Sequence, residues 1–245
     1  MKCIAIIPAR FDSARFPGKL LQKLGNKPII QHVYERAVAT GLFDSVVIGT
    51  DDQRIFETVD TFGGIVTLTS RKHQSGTDRI AEVCRKLKCC LDADIVVNVQ
   101  GDEPFITKKP LHHLLAVFQD KNIHVASLMH EIARDYKNPN KVKVVVDKAD
   151  YALYFSRSPI PFNRDRIPNL RYFKHVGVYA FRREALFQFV NMPKSKLEEI
   201  EKLEQLRFLE NGIRIKMIKT DYTGIGIDTP EDLKKAEKLL KTKTS

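Results

Sequence analysis

Arg10, Arg15 and Lys19 crowd into the stretch IPARFDSARFPGKLL at positions 7–21, around Pro17-Gly18 and directly after an apolar run. Cations on a loop that leaves a strand, together with the loop's own N–H groups, suit a polyphosphate. The loop is not a P-loop, because Ser13 stands where that motif needs glycine and Leu20 where it needs Ser or Thr after the lysine. The fingerprint G-x-G-x-x-G is absent too. Acidic partners come from two other places. VVNVQGDEP at 96–104 ends an apolar run in Gln100, Gly101, Asp102 and Glu103, and GIGIDTPED carries Asp228. Carboxylates at strand ends can hold Mg²⁺, which prefers hard oxygens together with substrate phosphates. Taken singly, Asp102 reads equally well as a turn residue and Asp228 as a residue near a helix start.

These residues need a scaffold, and the apolar pattern supplies one. Strand-length runs at 3–8, 46–49, 65–68 and 95–99 alternate with helical spacing such as Ile29, Ile30, Val33, Ala37 and Val38. Such βαβ alternation predicts a parallel sheet flanked by helices, with the ligand site at the strand C-terminal ends. Runs at 141–146, 151–155, 175–181 and 213–218 have fewer helices between them and predict a mixed or antiparallel second half. Leu197, Ile200, Leu203, Leu206 and Leu209 predict one helix closed by Asn211-Gly212. Thr229-Pro230 predicts the N-cap and first turn of a final helix whose lysine-rich tail frays. Thr77 is expected to cap a helix with Asp78 in its first turn. No repeat or low-complexity linker divides the chain, so a single domain over 1–245 is expected.

The 245 residues carry 43% hydrophobic and 29% charged side chains, the composition of an ordinary globular protein, with no apolar stretch long enough to span a bilayer. The opening CIAIIPA is too short for a signal peptide, so a cytoplasmic location is expected. Cys3, Cys84, Cys89 and Cys90 show neither a C-x-x-C pair nor zinc spacing, and unpaired thiols without a structural metal are expected. The net charge of +11 suits nucleic acid, an anionic surface or a polyanionic small substrate. Without tryptophan and without an RNA- or DNA-binding signature, a nucleic-acid binder ranks far behind an enzyme for anionic substrates.

Taken together, IPARFDSARFPGKLL, GTDD (49–52), HQSGTDR (73–79), VNVQGDEP (97–104), YFSRSPIP (154–161), HVGVYAFR (175–182), LEQLRFLENG (203–212) and GIDTPEDL (226–233) resemble the CMP-Kdo synthetases, cytidylyltransferases of 3-deoxy-manno-octulosonate (Kdo). The match is collinear from residue 4 to about 233. YFSRSPIP and LEQLR resemble the Kdo branch rather than its sialic-acid-activating relatives. The resemblance implies a Rossmann-like nucleotidyltransferase fold, with a mostly parallel central sheet, helices on both faces, and a mixed β/α acceptor and dimerisation half. It implies a homodimer, dependence on Mg²⁺, the reaction CTP + Kdo → CMP-Kdo + diphosphate, and a role in lipopolysaccharide assembly, with no nucleic-acid partner and no membrane insertion.

Carried over residue by residue, it implies that Lys19, Arg10 and Asp102 act in catalysis and that Asp102 and Asp228 hold the metal. Pro8, Ala9, Arg10, Ser13, Arg15, Lys19, Ser75, Gly76 and Gln100 would bind the nucleotide. Gln100, Arg157, His175, Tyr179, Glu204 and Gln205 would bind the sugar acid, with Arg157 on its carboxylate. On sequence alone His175 reads first as a half-buried strand histidine and Glu204 as a solvated helix face in an acidic run; the resemblance reverses that order. In the nucleotide-free protein the Lys19 charge is expected to be exposed and nearly irrelevant to folding. Another sugar or alditol nucleotidyltransferase of the same fold is the nearest rival, separated by the nucleotide and acid sugar it accepts.

Overall fold

The computed structural model describes every residue of the chain except Ala14, Gln74, Ile225 and Ser245. Its strands are β1 (Cys3–Ala9), β2 (Lys23–Leu24), β3 (Lys27–Pro28), β4 (Ser45–Thr50), β5 (Val66–Leu68), β6 (Ile95–Asn98), β7 (Val125–Ile132), β8 (Lys143–Val146), β9 (Ala152–Ser156), β10 (Tyr172–Arg182) and β11 (Ile215–Lys219). Its helices are α1 (Ile29–Ala39), α2 (Gln53–Thr61), α3 (Gly76–Lys86), α4 (Lys108–Ala116), α5 (Arg183–Val190), α6 (Lys196–Glu201), α7 (Leu206–Glu210) and α8 (Pro230–Thr244). Among the described residues no helix is long and apolar enough to cross a membrane. The four cysteines are free thiols.

Packing divides the chain into two compact units, Met1–Lys108 with Gly224–Ser245, and Lys109–Thr223. In the first, β1 pairs in parallel with both β6 and β4, and β4 pairs in parallel with β5. Ile4, Ala5, Ile6 and Ile7 are all fully buried, so β1 has no solvent face and reads as an unbroken apolar run rather than an alternation. Helix α1 buries Ile29, Ile30, Val33 and Ala37, whereas Val38, expected on the same stripe, is half exposed. In the second unit β7 runs parallel to β11 and antiparallel to β10, and β8 is antiparallel to both β10 and β9. This is the mixed second half that the thinning of helices predicts.

Three local expectations are corrected. The leucines of 197–209 do not lie on one helix, because Lys202 adopts the left-handed conformation (φ 53°) and separates α6 from α7. The reversal lets Arg207 fold back onto Glu198, both buried, at 2.5 and 2.7 Å. In a continuous helix those residues would be about 13 Å apart along the axis, so the buried ion pair and the unbroken helix exclude each other. Ser75, not Thr77, caps α3, accepting the Asp78 N–H at 3.1 Å, while Thr77 is buried inside the first turn. The tail remains helical to Thr244. Thr229 does sit at the start of α8, its hydroxyl accepting the Asp232 N–H at 3.2 Å.

Gly18 fixes the shape of the loop after β1. Its φ is +66°, its N–H donates to the Phe11 carbonyl at 2.8 Å, and a Cβ there would lie 2.9 Å from the Phe11 ring. That ring is itself held under the Arg54 guanidinium, 3.3 Å from its centroid. Gly18→Ala therefore meets both a left-handed backbone, which costs about 1–2 kcal/mol, and a steric contact that must be relieved by moving Phe11. Thermal unfolding should show a Tm several degrees below the parent; an unchanged Tm contradicts this account of the loop.

Candidate active site

The C-terminal ends of β1 and β6, adjacent parallel strands, carry the loops at 10–18 and 99–104 side by side. Between them and the start of α3 lies a cavity of about 270 Å³. Of the residues expected to bind a nucleotide, Pro8, Arg10, Ser13, Lys19, Gly76 and Gln100 line it, as does Asp102. Ala9 is buried in β1, Ser75 caps α3, and Arg15 pairs with Asp228 outside the lining. Sequence reasoning missed Asp12, Leu20 and Gly101 on the same wall. Gly101 carried a readable signal, standing between Gln100 and Asp102. A Cβ there would sit 3.3 Å from the Pro8 carbonyl oxygen and 3.4 Å from the Leu20 methyls, so glycine lets the two loops approach.

On the cavity wall that Lys19 and Asp102 line, one ammonium joins two carboxylates. Lys19 Nζ donates to Asp102 at 2.5 Å and to Asp228 at 2.8 Å, and Arg15 adds a 2.9 Å contact to the other Asp228 oxygen. The Asp102 carbonyl also accepts the Ile227 N–H at 2.9 Å, which ties the two acidic segments together through the backbone. Burial alone would depress the Lys19 pKa, but the Asp102 charge and the hydrogen bonds to both carboxylates outweigh it and raise the pKa. For Asp228, burial pushes upward and is overcome by Lys19 and then Arg15, leaving its pKa lowered. Lys19 is thus not the exposed charge expected of it: its side chain is only 12% exposed and it holds three segments together.

Arg10 serves the loop that precedes α3. Its Nη2 donates to the carbonyls of His73 at 2.5 Å and Ser75 at 3.3 Å. The same loop is clamped from behind by Glu82, which accepts the Ser70 N–H at 2.9 Å, pairs with Lys86 at 2.6 Å and meets the His73 ring. Sequence reasoning did not single out Glu82 or His73; a lone glutamate on a charged helix carries no such signal. Arg79, fully buried, pairs with Asp51 at 2.7 Å and bonds the Thr69 hydroxyl, anchoring α3 to the ends of β4 and β5.

The residues expected to hold a sugar acid, Gln100 apart, lie in the second unit. His175 on β10 contacts the Ser127 hydroxyl at 3.0 Å and packs its ring 5.2 Å from those of Phe155 and Tyr179. Burial, then Lys174, pushes its pKa down to about 3, so the imidazole is neutral at pH 7. Tyr179 is nearly buried, and burial followed by the charge of Glu204 drives its pKa well above the phenol range, which brings Glu204 into the same group. The buried side-chain nitrogen of Gln205 has no hydrogen-bond partner among the described residues. Arg157 differs in kind. Three of its five N–H groups donate to the carbonyls of Glu201, Pro139 and Lys202 at 2.7, 3.0 and 3.2 Å, while Glu201 takes the Arg157 N–H and the Ser156 hydroxyl. Its guanidinium organises the loop after α6 as built, a role the sequence did not indicate.

A parallel sheet whose strand ends deliver a cationic loop, a capped helix start and paired carboxylates defines an α/β protein built for nucleotidyl transfer. Residues 4–215 match the cytidylyltransferase family. The 3-deoxy-manno-octulosonate cytidylyltransferase of Flavobacterium johnsoniae is 53% identical over 98% of this chain and 99% of its own length. That of Thermodesulfovibrio yellowstonii is 52% identical over 99% of each. Among solved structures, a CMP:2-keto-3-deoxy-manno-octonic acid synthetase in complex with CTP superposes with a TM-score of 0.92 at 44% identity, covering 99% of this chain and 100% of that one. The chain belongs to the cytidylyltransferase family, in the branch formed by the 3-deoxy-manno-octulosonate enzymes.

The Glu82 clamp has a measurable signature. Burial would raise its pKa, but the bonds from Lys86, Ser70 and His73 bring it down to about 2 from an ordinary 4.5. A carboxylate with a depressed folded-state pKa stabilises the fold above its unfolded pKa and loses that contribution as pH falls through the folded one. The stability difference between the parent and Glu82→Gln should therefore be fully present above pH 4.5 and vanish as pH falls toward 2. Urea unfolding at stepped pH reads it; a difference that does not change with pH contradicts the clamp.

Proposed function

We propose that the chain catalyses CTP + Kdo → CMP-Kdo + diphosphate. The observation that carries this reading is the Lys19 ammonium, shared by Asp102 and Asp228, on the wall of a cavity that Pro8, Arg10, Ser13, Gly76, Gln100 and Asp102 also line. Its support beyond geometry is full-length similarity to proteins that bear the corresponding name. The anomeric hydroxyl of Kdo attacks the α-phosphorus in line while diphosphate leaves, so the barrier lies in positioning and charge rather than in covalent chemistry on the protein. Lys19, Arg10 and Arg15 neutralise the triphosphate and the leaving diphosphate, with Ser13 and loop amides orienting it. Ser75 and Gly76, at the start of α3, read the base together with the backbone of 8–10.

Asp102 and Asp228 fit a divalent cation: two hard carboxylates already converge on a single positive charge. Mg²⁺ held there would polarise the α-phosphate and acidify the attacking hydroxyl. Lys19 and Arg15 supply the cationic charge that these residues balance in the nucleotide-free protein. The sugar acid is assigned to Arg157, His175, Tyr179, Glu204 and Gln205. Neutral His175 and the amide of Gln205 offer hydrogen bonds to hydroxyl groups, and the N–H edge of Arg157 offers a charge-assisted bond to the carboxylate. We further assign the protein to the cytoplasm as a homodimer supplying activated Kdo for lipopolysaccharide assembly.

Diphosphate release measured with CTP, ATP, GTP and UTP, crossed with Kdo and sialic acid, tests substrate choice directly. Turnover with CTP and Kdo alone is expected; preference for another pair overturns the assignment. Asp102→Asn and Asp228→Asn should each abolish turnover with the fold retained by circular dichroism, because an amide keeps the shape but removes a charge from a hard-cation site. Near-normal rates in both at saturating Mg²⁺ would sink the metal assignment.

A further inference from the structure

Arg157 is the cation that the proposed reading gives to the sugar acid, and it follows directly on Ser156, the last residue of β9. A mobile arginine loses rotamer freedom when it closes on a carboxylate, and the loss weakens binding unless the side chain is ordered beforehand. Here charged side chains order its backbone from both sides. The Arg157 N–H donates to one Glu201 oxygen at 2.9 Å, and the other oxygen takes the Ser156 hydroxyl at 2.6 Å. The Arg157 carbonyl accepts from Lys143 Nζ at 2.5 Å, and the same ammonium reaches the Asn138 carbonyl at 3.1 Å. Lys143 stands opposite Ser156 in the register of β8 and β9 and is fully buried.

An ammonium held out of water is a costly way to fill a strand position, because methionine has a similar stem and no charge to desolvate. Burial lowers the Lys143 pKa, with the charge of Glu201 opposing the fall and that of Arg157 adding to it, so the three charges act as one group. The guanidinium is held in turn by the carbonyls of Glu201, Pro139 and Lys202, the last at a left-handed residue. These bonds use Nε–H and one N–H on each terminal nitrogen. The second N–H on each terminal nitrogen has no partner among the described residues, and two such donors can meet the two oxygens of a carboxylate. We infer that Glu201 and Lys143 are positioning residues of the sugar-acid site, fixing the Arg157 backbone so that its guanidinium is ordered before a carboxylate arrives. The inference rests on the assignment of Arg157 to the Kdo carboxylate.

The test compares the parent with Glu201→Gln, Lys143→Met, Arg157→Ala and the double variant Arg157→Ala/Glu201→Gln. Glu201→Gln, the milder change, carries the test even where Lys143→Met lowers the yield of folded protein. One readout is independent of substrate: the ¹⁵N signal of the Arg157 Nε–H, assigned by its loss in Arg157→Ala. In the parent this N–H should be protected from solvent exchange, and both positioning variants should reduce the protection about tenfold or more. The second readout is kinetic. Each positioning variant should raise KM for Kdo about tenfold, with kcat and KM for CTP changed by less than about twofold, whereas a general folding defect moves both KM values or neither. In the Arg157→Ala background, Glu201→Gln should raise KM for Kdo no further. The inference is overturned if Nε–H protection survives in Glu201→Gln, if KM for CTP rises together with that for Kdo, or if Glu201→Gln acts equally with and without Arg157. If Arg157→Ala itself leaves KM for Kdo unchanged while Glu201→Gln still releases the Nε–H, it is the assignment of Arg157 to the sugar acid that falls, and the inference falls with it.

Discussion

One ammonium between two carboxylates sets the terms for the rest of the candidate site. Lys19, Asp102 and Asp228 come from the exit of β1, the exit of β6 and the approach to α8, and they meet because β1 and β6 are parallel neighbours. Two carboxylates converging without a cation would repel and drive each other's pKa upward. With Lys19 between them and Arg15 on the outer oxygen of Asp228, the cluster is electrically balanced before any substrate arrives. The interaction thus serves two ends: it holds the loops together in the free protein, and it stores both the anionic pair that suits a metal and the cations that suit a triphosphate.

The surrounding glycines and clamps keep that geometry. Gly18 turns the loop so that Lys19 points inward, Gly101 lets the β1 and β6 loops touch, and Arg10 pins the carbonyls of His73 and Ser75. Glu82 and buried Arg79 fix the far side of the same loop to α3 and to the ends of β4 and β5. Polar groups that are buried and fully bonded make a site rigid, because moving any one leaves another unsatisfied. Several of these bonds run to backbone carbonyls or N–H groups, which almost any residue supplies.

That is why some parts of the molecule could be read from the chain and others could not. The parallel sheet was legible because buried strands such as Ile4–Ile7 are uniformly apolar and separated by amphipathic helices. The cationic loop and the two aspartates were legible because charge placed at strand ends is uncommon without a ligand. The break at Lys202 was hidden, since leucine spacing continues across it and the cause is a tertiary pair between Glu198 and Arg207. The ties of Arg157 and Arg10 to carbonyl oxygens were hidden for the same reason: a backbone acceptor leaves no mark on the sequence. The burial of Lys19 was misjudged because a lysine on a polar loop looks solvated until its partners, distant in the chain, are in place.

On the proposed reading, Lys19 occupies in the free protein the charge site that Asp102 and Asp228 would offer to a divalent cation. Calorimetric titration of Mg²⁺ into the nucleotide-free parent and into Lys19→Met tests it most directly. Removing the competing ammonium should tighten Mg²⁺ binding by about tenfold or more, a change of roughly 1.4 kcal/mol, and Asp228→Asn in the same background should remove the gain. Equal or weaker Mg²⁺ binding by Lys19→Met would contradict the account.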